Sequence, residues 1–276
     1  MNILQGKQRA QDIITHLKTC EPIDGFVAAF LEEGDSVQES FLKQKKRVAE
    51  ELGIDMRSYI LPRGGNDPAR NYMRQIVSSK KCKGALVQLH LKEYNGLYLA
   101  NTIPQQKDID LLSARAYGDF VQERGVVLPP AVRTLQYILH IEGKNITDFH
   151  SVAVIGQGRL VGKPISNWIT RQVAECMSLD KGYKKELLKN ADLVISATGD
   201  RGSLDPTYLS KGAWVIDFGY GIQEGSIQGD LDVKKDVSHL GYYTPTPGGT
   251  GPLLVSALFE NLYVLQKRTT YEDTLA

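Results

Sequence analysis

Short apolar runs rich in β-branched and aromatic residues alternate along this chain with longer segments of helical period. GFVAAFL at 25–31 precedes a helical pattern over 36–52, SYIL at 58–61 precedes one over 68–79, and GALVQL follows at 84–89. That βαβαβ rhythm predicts a parallel sheet covered by helices. It resumes with SVAVIG at 151–156, a helix over 162–173, a weak strand near 174–178, ADLVISATG at 191–199 and AWVIDFG at 213–219. Between the halves, Pro129 and Pro130 precede a helical pattern within 126–140, which puts a boundary near 120–130. After the Pro/Gly-rich YTPTPGGTGP at 243–252 comes LLVSALFENLYVLQKR, a last helix. One helix cannot form a domain, so it must pack back on one of the halves. The expected fold class is therefore α/β, with two α/β lobes and the C-terminal helix returning to the first.

Composition narrows the partners. The 276 residues carry 33 Lys+Arg against 32 Asp+Glu, a net charge of +1, and 42% are hydrophobic. Enough apolar material is present to fill a core, which excludes a disordered chain. The balanced charge gives no whole-chain attraction to nucleic acid or to an anionic membrane. No apolar run reaches the roughly 18 residues of a membrane span, and no apolar leader precedes the first amphipathic segment. Cys20, Cys82 and Cys176 are too few and too scattered for a disulfide framework or a zinc site. The expectation is a cytoplasmic protein with no membrane or nucleic-acid partner. The five histidines show no ligand spacing, so no metal is expected.

The strongest local signal for chemistry is VAVIGQGRLVGKP at 152–164. A β-branched run ends at Gly156, Gly158 and Gly162 follow, and ISNWI opens a helix. Glycines at a strand-to-helix turn let the backbone approach a pyrophosphate, whose charge is met by helix N-terminal N–H groups. A second strand ends at Thr198 and Gly199. The second lobe thus reads as a Rossmann-like dinucleotide-binding domain; a glycine turn without a ligand is the plainer alternative. The region that selects the adenosine ribose falls in ECMSLDKG at 175–182. There Asp180 suits the ribose hydroxyls of NAD, whereas Arg159 or Lys181 suits the 2′-phosphate of NADP, and one sequence leaves both open.

Val37, Phe41, Lys45, Val48 and Leu52 step along one face of the 36–52 helix, the face expected to point inward. Lys45 is the lone cation of that stripe. It either snorkels or sits at the floor of a cleft, where desolvation lowers its pKa and suits it to proton transfer. Gln88 interrupts an apolar strand, and Asp108 and Asp110 follow the strand-like LYLANTIP at 97–104. Ligands of open parallel sheets collect at the carboxyl ends of strands, so Gln88 and one aspartate are expected to share the crevice with Lys45. Structural amide and turn-cap roles are the alternatives.

Taken together these residues resemble the methylenetetrahydrofolate dehydrogenase/methenyltetrahydrofolate cyclohydrolase family, of the bacterial bifunctional FolD type. The resemblance starts at Gly6 and Lys7 and runs through FLKQKKRVAEELGI, like Y-x-x-x-K-x-K…G-I. It continues through LVQL and PQQKDID, the latter like P-x-K-D-V-D-G, and VIGQGRLVGKP, like V-V-G-R-S-x-x-V-G-x-P. Its longest stretch is TPTPGGTGPLLVSALFEN, similar to T-P-V-P-G-G-V-G-P-M-T-V-A…E-N. The resemblance implies Lys45 as the catalytic lysine, tuned by Gln88, with Asp110 on the pterin edge. It implies substrate contacts at Phe41, Val87 and Leu89 and along Pro247, Gly248, Gly249, Thr250 and Gly251. It implies NADP or NAD held by Gly156, Gln157, Gly158, Gly162, Thr198, Gly199 and Tyr220, with no metal, and a homodimer. A substrate and catalytic domain would span 1–125 with 250–276, and the dinucleotide-binding domain 126–249. The implied reactions are oxidation of 5,10-methylenetetrahydrofolate and hydrolysis of the methenyl product to 10-formyltetrahydrofolate. A dehydrogenase without hydrolysis and a non-catalytic folate or nucleotide binder are the alternatives. Four departures bear on these: Phe41 stands where the pattern has tyrosine, His90–Lys92 replace a proline-rich continuation, Gln157 and Gly158 replace arginine and serine, and Leu254 replaces threonine.

Overall fold

The structure is a computed structural model that describes residues 2–33, 36–89, 91–223 and 226–275. In chain order the elements are β1 (Asn2–Ile3), α1 (Gly6–Thr19), β2 (Phe26–Leu31), α2 (Ser36–Glu51), β3 (Asp55–Ile60), α3 (Asn66–Val77), β4 (Cys82–Val87), α4 (Gly96–Ala100) and α5 (Ala114–Val121). They continue with α6 (Pro130–Ile141), β5 (Ser151–Ile155), α7 (Gly162–Ile169), β6 (Glu175–Leu179), β7 (Leu193–Ser196) and β8 (Trp214–Asp217). The last are β9 (Gly221–Gln223), β10 (Ser226–Gln228), β11 (Tyr242–Tyr243), α8 (Thr250–Leu265) and α9 (Tyr271–Leu275).

Two compact units share the chain, one of residues 11–130 and 255–276, the other of residues 1–10 and 131–254. The expected bounds differ from these at the first ten residues and by about five residues at each junction. In the first unit β3, β2 and β4 form a parallel sheet with β2 central. Every residue of β2 is buried, as a strand covered on both faces requires. Phe26, Ala28 and Phe30 pack with Ala69, Met73 and Val77 of α3 and with Leu99 and Ala100 of α4. On the β4 strand a Cβ at Gly84 would lie 2.9 Å from Leu262 and 3.0 Å from Ile109, so α8 sits tightly on this sheet.

In the second unit six parallel strands run in the order β1-β11-β8-β7-β5-β6. The chain leaves β5 to one side for β6 and returns on the other for β7. That reversal opens a crevice at the carboxyl ends of β5 and β7, where open α/β sheets bind ligands. Among the described residues no helix is long and apolar enough to cross a membrane.

One expected strand is corrected. LYLANTIP is not strand-like: Leu97–Ala100 belong to α4, because the Asn95 side chain accepts from Tyr98 N at 3.0 Å and caps a helical turn that buries Leu99 and Ala100. The helix expected over 162–173 stops at Ile169, where the Thr170 hydroxyl donates back to Ser166 O at 2.7 Å.

Candidate active site

Within the first unit, α2 turns Leu42, Val48 and Ala49 into the core and leaves Lys43, Lys46 and Arg47 exposed. Lys45 lies between these faces, half-buried, and its Nζ donates to Gln88 Oε1 at 3.0 Å. The side chains of Val37 and Phe41, and His90 entirely, lie outside the described residues. Gln88 follows the end of β4 and is itself buried, at 8% exposure; its N–H donates to Phe30 O at 2.8 Å, which fixes it against β2. Burial drives the Lys45 pKa below the ordinary lysine value, while the charge of Asp110 pulls it the other way. Burial raises the Asp110 carboxyl, and Lys45 opposes that rise. The arrangement is a desolvated amine, coupled to one carboxyl and held by one amide.

The two aspartates of PQQKDID separate cleanly. Asp108 is fully buried and accepts from Leu112 N at 3.3 Å and Ser113 N at 2.8 Å, the behaviour of a turn cap. Burial, opposed by the Ser113 contacts, pushes its carboxyl up to about 6. Asp110 alone couples to Lys45. Of the implied substrate contacts nearby, Val87 is 1% exposed in the core and offers a ligand only its backbone, whereas Leu89 is half-buried.

In the second unit the glycine turn closes on the end of β7. Gly156 has φ 84°, and a Cβ there would strike Ala197 O at 2.6 Å. A Cβ at Gly162 would fall 1.7 Å from Gly156 O, so only glycine lets α7 start this close. A Cβ at Gly158 meets nothing within 4 Å, leaving open space above the exposed backbone. Thr198 and Gly199 are exposed beside it, and Tyr220 is half-buried beyond β8. This cradle suits a pyrophosphate: bare backbone, a helix start and no competing side chain. Gln157 does not reach into that space. Its Nε2 donates to Val154 O at 3.0 Å and its Oε1 accepts from Ser166 Oγ at 3.0 Å, so its amide braces the turn from beneath. Asp180, just past β6, is exposed, and its Oδ1 accepts from Lys181 N at 2.9 Å.

The loop Pro247–Gly251 belongs to the same unit. Pro247 and Gly251 are exposed, while Gly249 N donates to Pro245 O at 2.8 Å and Thr250 Oγ1 donates to Asp217 O at 2.9 Å. A Cβ at Gly6 would lie 1.9 Å from Gly249 O, so the start of α1 packs directly on the loop. Among the described residues no three His, Cys, Asp or Glu side chains are grouped as a metal would need.

Sequence reasoning missed a buried polar layer. Asp217 and Asp230 are almost wholly enclosed; Asp217 accepts from Gly219 N and Leu231 N, and Asp230 from Ser196 Oγ and Thr198 N. Burial and the neighbouring Asp230 push the Asp217 carboxyl up to about 7. Asn261, wholly buried in α8, was passed over as part of a helical hallmark. A carboxamide inside LFENLYVL was the available signal, since a buried amide must find partners.

Residues 129–270 match the family model described as "Tetrahydrofolate dehydrogenase/cyclohydrolase, NAD(P)-binding domain". The bifunctional protein FolD of Agathobacter rectalis is 30% identical over 270 residues, covering 96% of each chain. The crystal structure of the bifunctional FolD of Campylobacter jejuni superposes with a TM-score of 0.89 at 25% identity, covering 98% of this chain and 100% of that one. The Trypanosoma brucei FolD, solved with NADP cofactor and an inhibitor, shares the fold with a TM-score of 0.87 at 22% identity, covering 97% of each chain.

Proposed function

The chain belongs to the tetrahydrofolate dehydrogenase/cyclohydrolase family, and from that membership we propose that it oxidises 5,10-methylenetetrahydrofolate with NAD(P)⁺ and hydrolyses the 5,10-methenyl product to 10-formyltetrahydrofolate. The observation that carries the reading is Lys45: a desolvated amine whose Nζ donates to Gln88 Oε1 at 3.0 Å and whose charge couples to Asp110. A lowered pKa leaves more of the amine neutral near pH 7. A neutral amine that donates one N–H to Gln88 keeps its lone pair for an incoming water. As the water oxygen bonds to the methenyl carbon, Lys45 takes one proton of that water; as the bridge C–N bond breaks, Lys45 returns it to the departing nitrogen, and the second water proton leaves to solvent as the formyl C=O forms. Asp110 accepts from N–H donors of the pterin, and Leu89, next to Gln88, meets the folate. In this division of labour, residues 11–130 with 255–276 bind and turn over the folate.

The second unit holds the dinucleotide, with its pyrophosphate over Gly156–Gly158 and its nicotinamide side toward Tyr220. When bound, the dinucleotide supplies the hydride acceptor. NAD⁺ is the preferred form in this reading. The Gln157 amide is spent within the turn, and Asp180 places a carboxylate where the adenosine ribose falls, favouring free hydroxyls over a 2′-phosphate. The protein acts as a cytoplasmic homodimer by the same family reading.

A spectrophotometric assay with methylenetetrahydrofolate and each nucleotide, beside direct binding of ADP-ribose and its 2′-phosphate, tests the reading. Methenyl formation followed by hydrolysis, and tighter binding of ADP-ribose, are expected. Dehydrogenation without hydrolysis would leave a monofunctional enzyme, and no turnover with either nucleotide would leave a binding protein. Tighter binding of the 2′-phosphate would overturn the nucleotide preference.

A further inference from the structure

Asp110 stands between two backbone points that are themselves fixed. The carbonyl of Ile109, before it, accepts from Asn261 Nδ2 at 2.9 Å. Leu111, after it, is 2% exposed and held at φ 52°, a left-handed conformation unfavourable for a leucine. Such a conformation persists only where the surroundings over-determine it. The Asp108 carboxyl closes the far side of the turn by capping Leu112 and Ser113.

Asn261 is itself locked. The second proton of Nδ2 goes to Leu128 O at 2.9 Å, and its Oδ1 accepts from the hydroxyl of Tyr271. That hydroxyl in turn accepts from Leu128 N at 2.8 Å. The amide orientation is therefore not free to flip: turned over, it would aim its oxygen at two carbonyls and its N–H groups at the tyrosine. Three distant stretches of chain, at 109, 128 and 271, meet on this one side chain. We propose that Asn261, latched by Tyr271 of the C-terminal segment, is a positioning residue that sets where Asp110 presents its carboxyl to the folate. The proposal rests on the reading that Asp110 binds substrate.

The test compares Tyr271→Phe, Asp110→Asn and their combination in the full-length enzyme, with Thr274→Val as a control. Thr274 makes another bond from the same segment to α8, to Glu260. Tyr271→Phe is expected to raise KM for methylenetetrahydrofolate about fivefold, the effect of one hydrogen bond, with KM for the dinucleotide unchanged. Added to Asp110→Asn it should raise the folate KM no further, because the two act through one group. Thr274→Val should leave both KM values as they were. A folate KM unmoved by Tyr271→Phe, or equal effects from Tyr271→Phe and Thr274→Val, would overturn the positioning role while leaving Asp110 as a binding residue. A folate KM unmoved by Asp110→Asn would overturn both. If Tyr271→Phe lowers the melting temperature beyond use, Tyr271→His, whose shorter side chain cannot bridge Asn261 Oδ1 and Leu128 N as the hydroxyl does, replaces it under the same criteria.

Discussion

An ammonium enclosed by protein loses hydration that a single amide oxygen does not restore, and this governs Lys45. Gln88 supplies one acceptor, and Asp110 is the carboxyl that holds the charged form back from complete loss. Replacing Asp110 with asparagine removes that support. The pKa seen in the pH–rate profile of methenyl hydrolysis should then move to lower pH, because activity needs the neutral amine and rises as the proton leaves. An unmoved or raised pKa would show that the two groups are not coupled. Lys45 was legible in the sequence because it is the one cation on an otherwise apolar stripe. Spacing alone left Asp108 and Asp110 open, since both fit a turn cap, and only the resemblance pointed to Asp110; the bonds to Leu112 and Ser113 assign the cap to Asp108. The side-chain amide of Gln157 was not legible for a related reason. The resemblance made it a cofactor contact, but a short amide on a glycine turn finds Val154 O and Ser166 Oγ beneath it first.

At the scale of elements, the runs of apolar residues located β2, β4, β5, β7 and β8 because strands buried on both faces leave little else in the sequence. Two-residue strands such as β1 and β11 carry no periodicity and escaped, as did α4, whose single turn depends on the Asn95 cap. The ends of β8 and β10 bring Asp217 and Asp230 together in the core of the second unit, and this has a consequence for pH. Asp217 rises from 3.8 to about 7 and Asp108 in the first unit from 3.8 to about 6. Their folded-state values exceed the unfolded ones, so their stabilising contribution is complete below about pH 4 and is lost as pH rises through about 6 and about 7. Melting temperature should accordingly fall between about pH 4 and about pH 7, the window bounded by the unfolded value and the higher folded one. Asp230→Asn, which removes one cause of the Asp217 shift while keeping an oxygen for Ser196 and Thr198, should flatten that fall. An equally steep profile in the variant would remove Asp230 as a cause.

For the molecule as a whole, the division of labour follows from which unit carries which groups. The amine, amide and carboxyl lie with residues 11–130, and the glycine cradle with residues 131–254. On this proposal, proton transfer by Lys45 serves hydrolysis, whereas hydride transfer draws on the unit that carries the glycine cradle. Lys45→Met keeps an unbranched side chain as far as Cε and removes the basic nitrogen. The most direct measurement follows methenyltetrahydrofolate hydrolysis and methylenetetrahydrofolate oxidation side by side in the wild type and this variant. Hydrolysis should fall by at least about 100-fold, the scale of a lost general base, with oxidation retained. Hydrolysis at the wild-type rate in Lys45→Met would contradict the account.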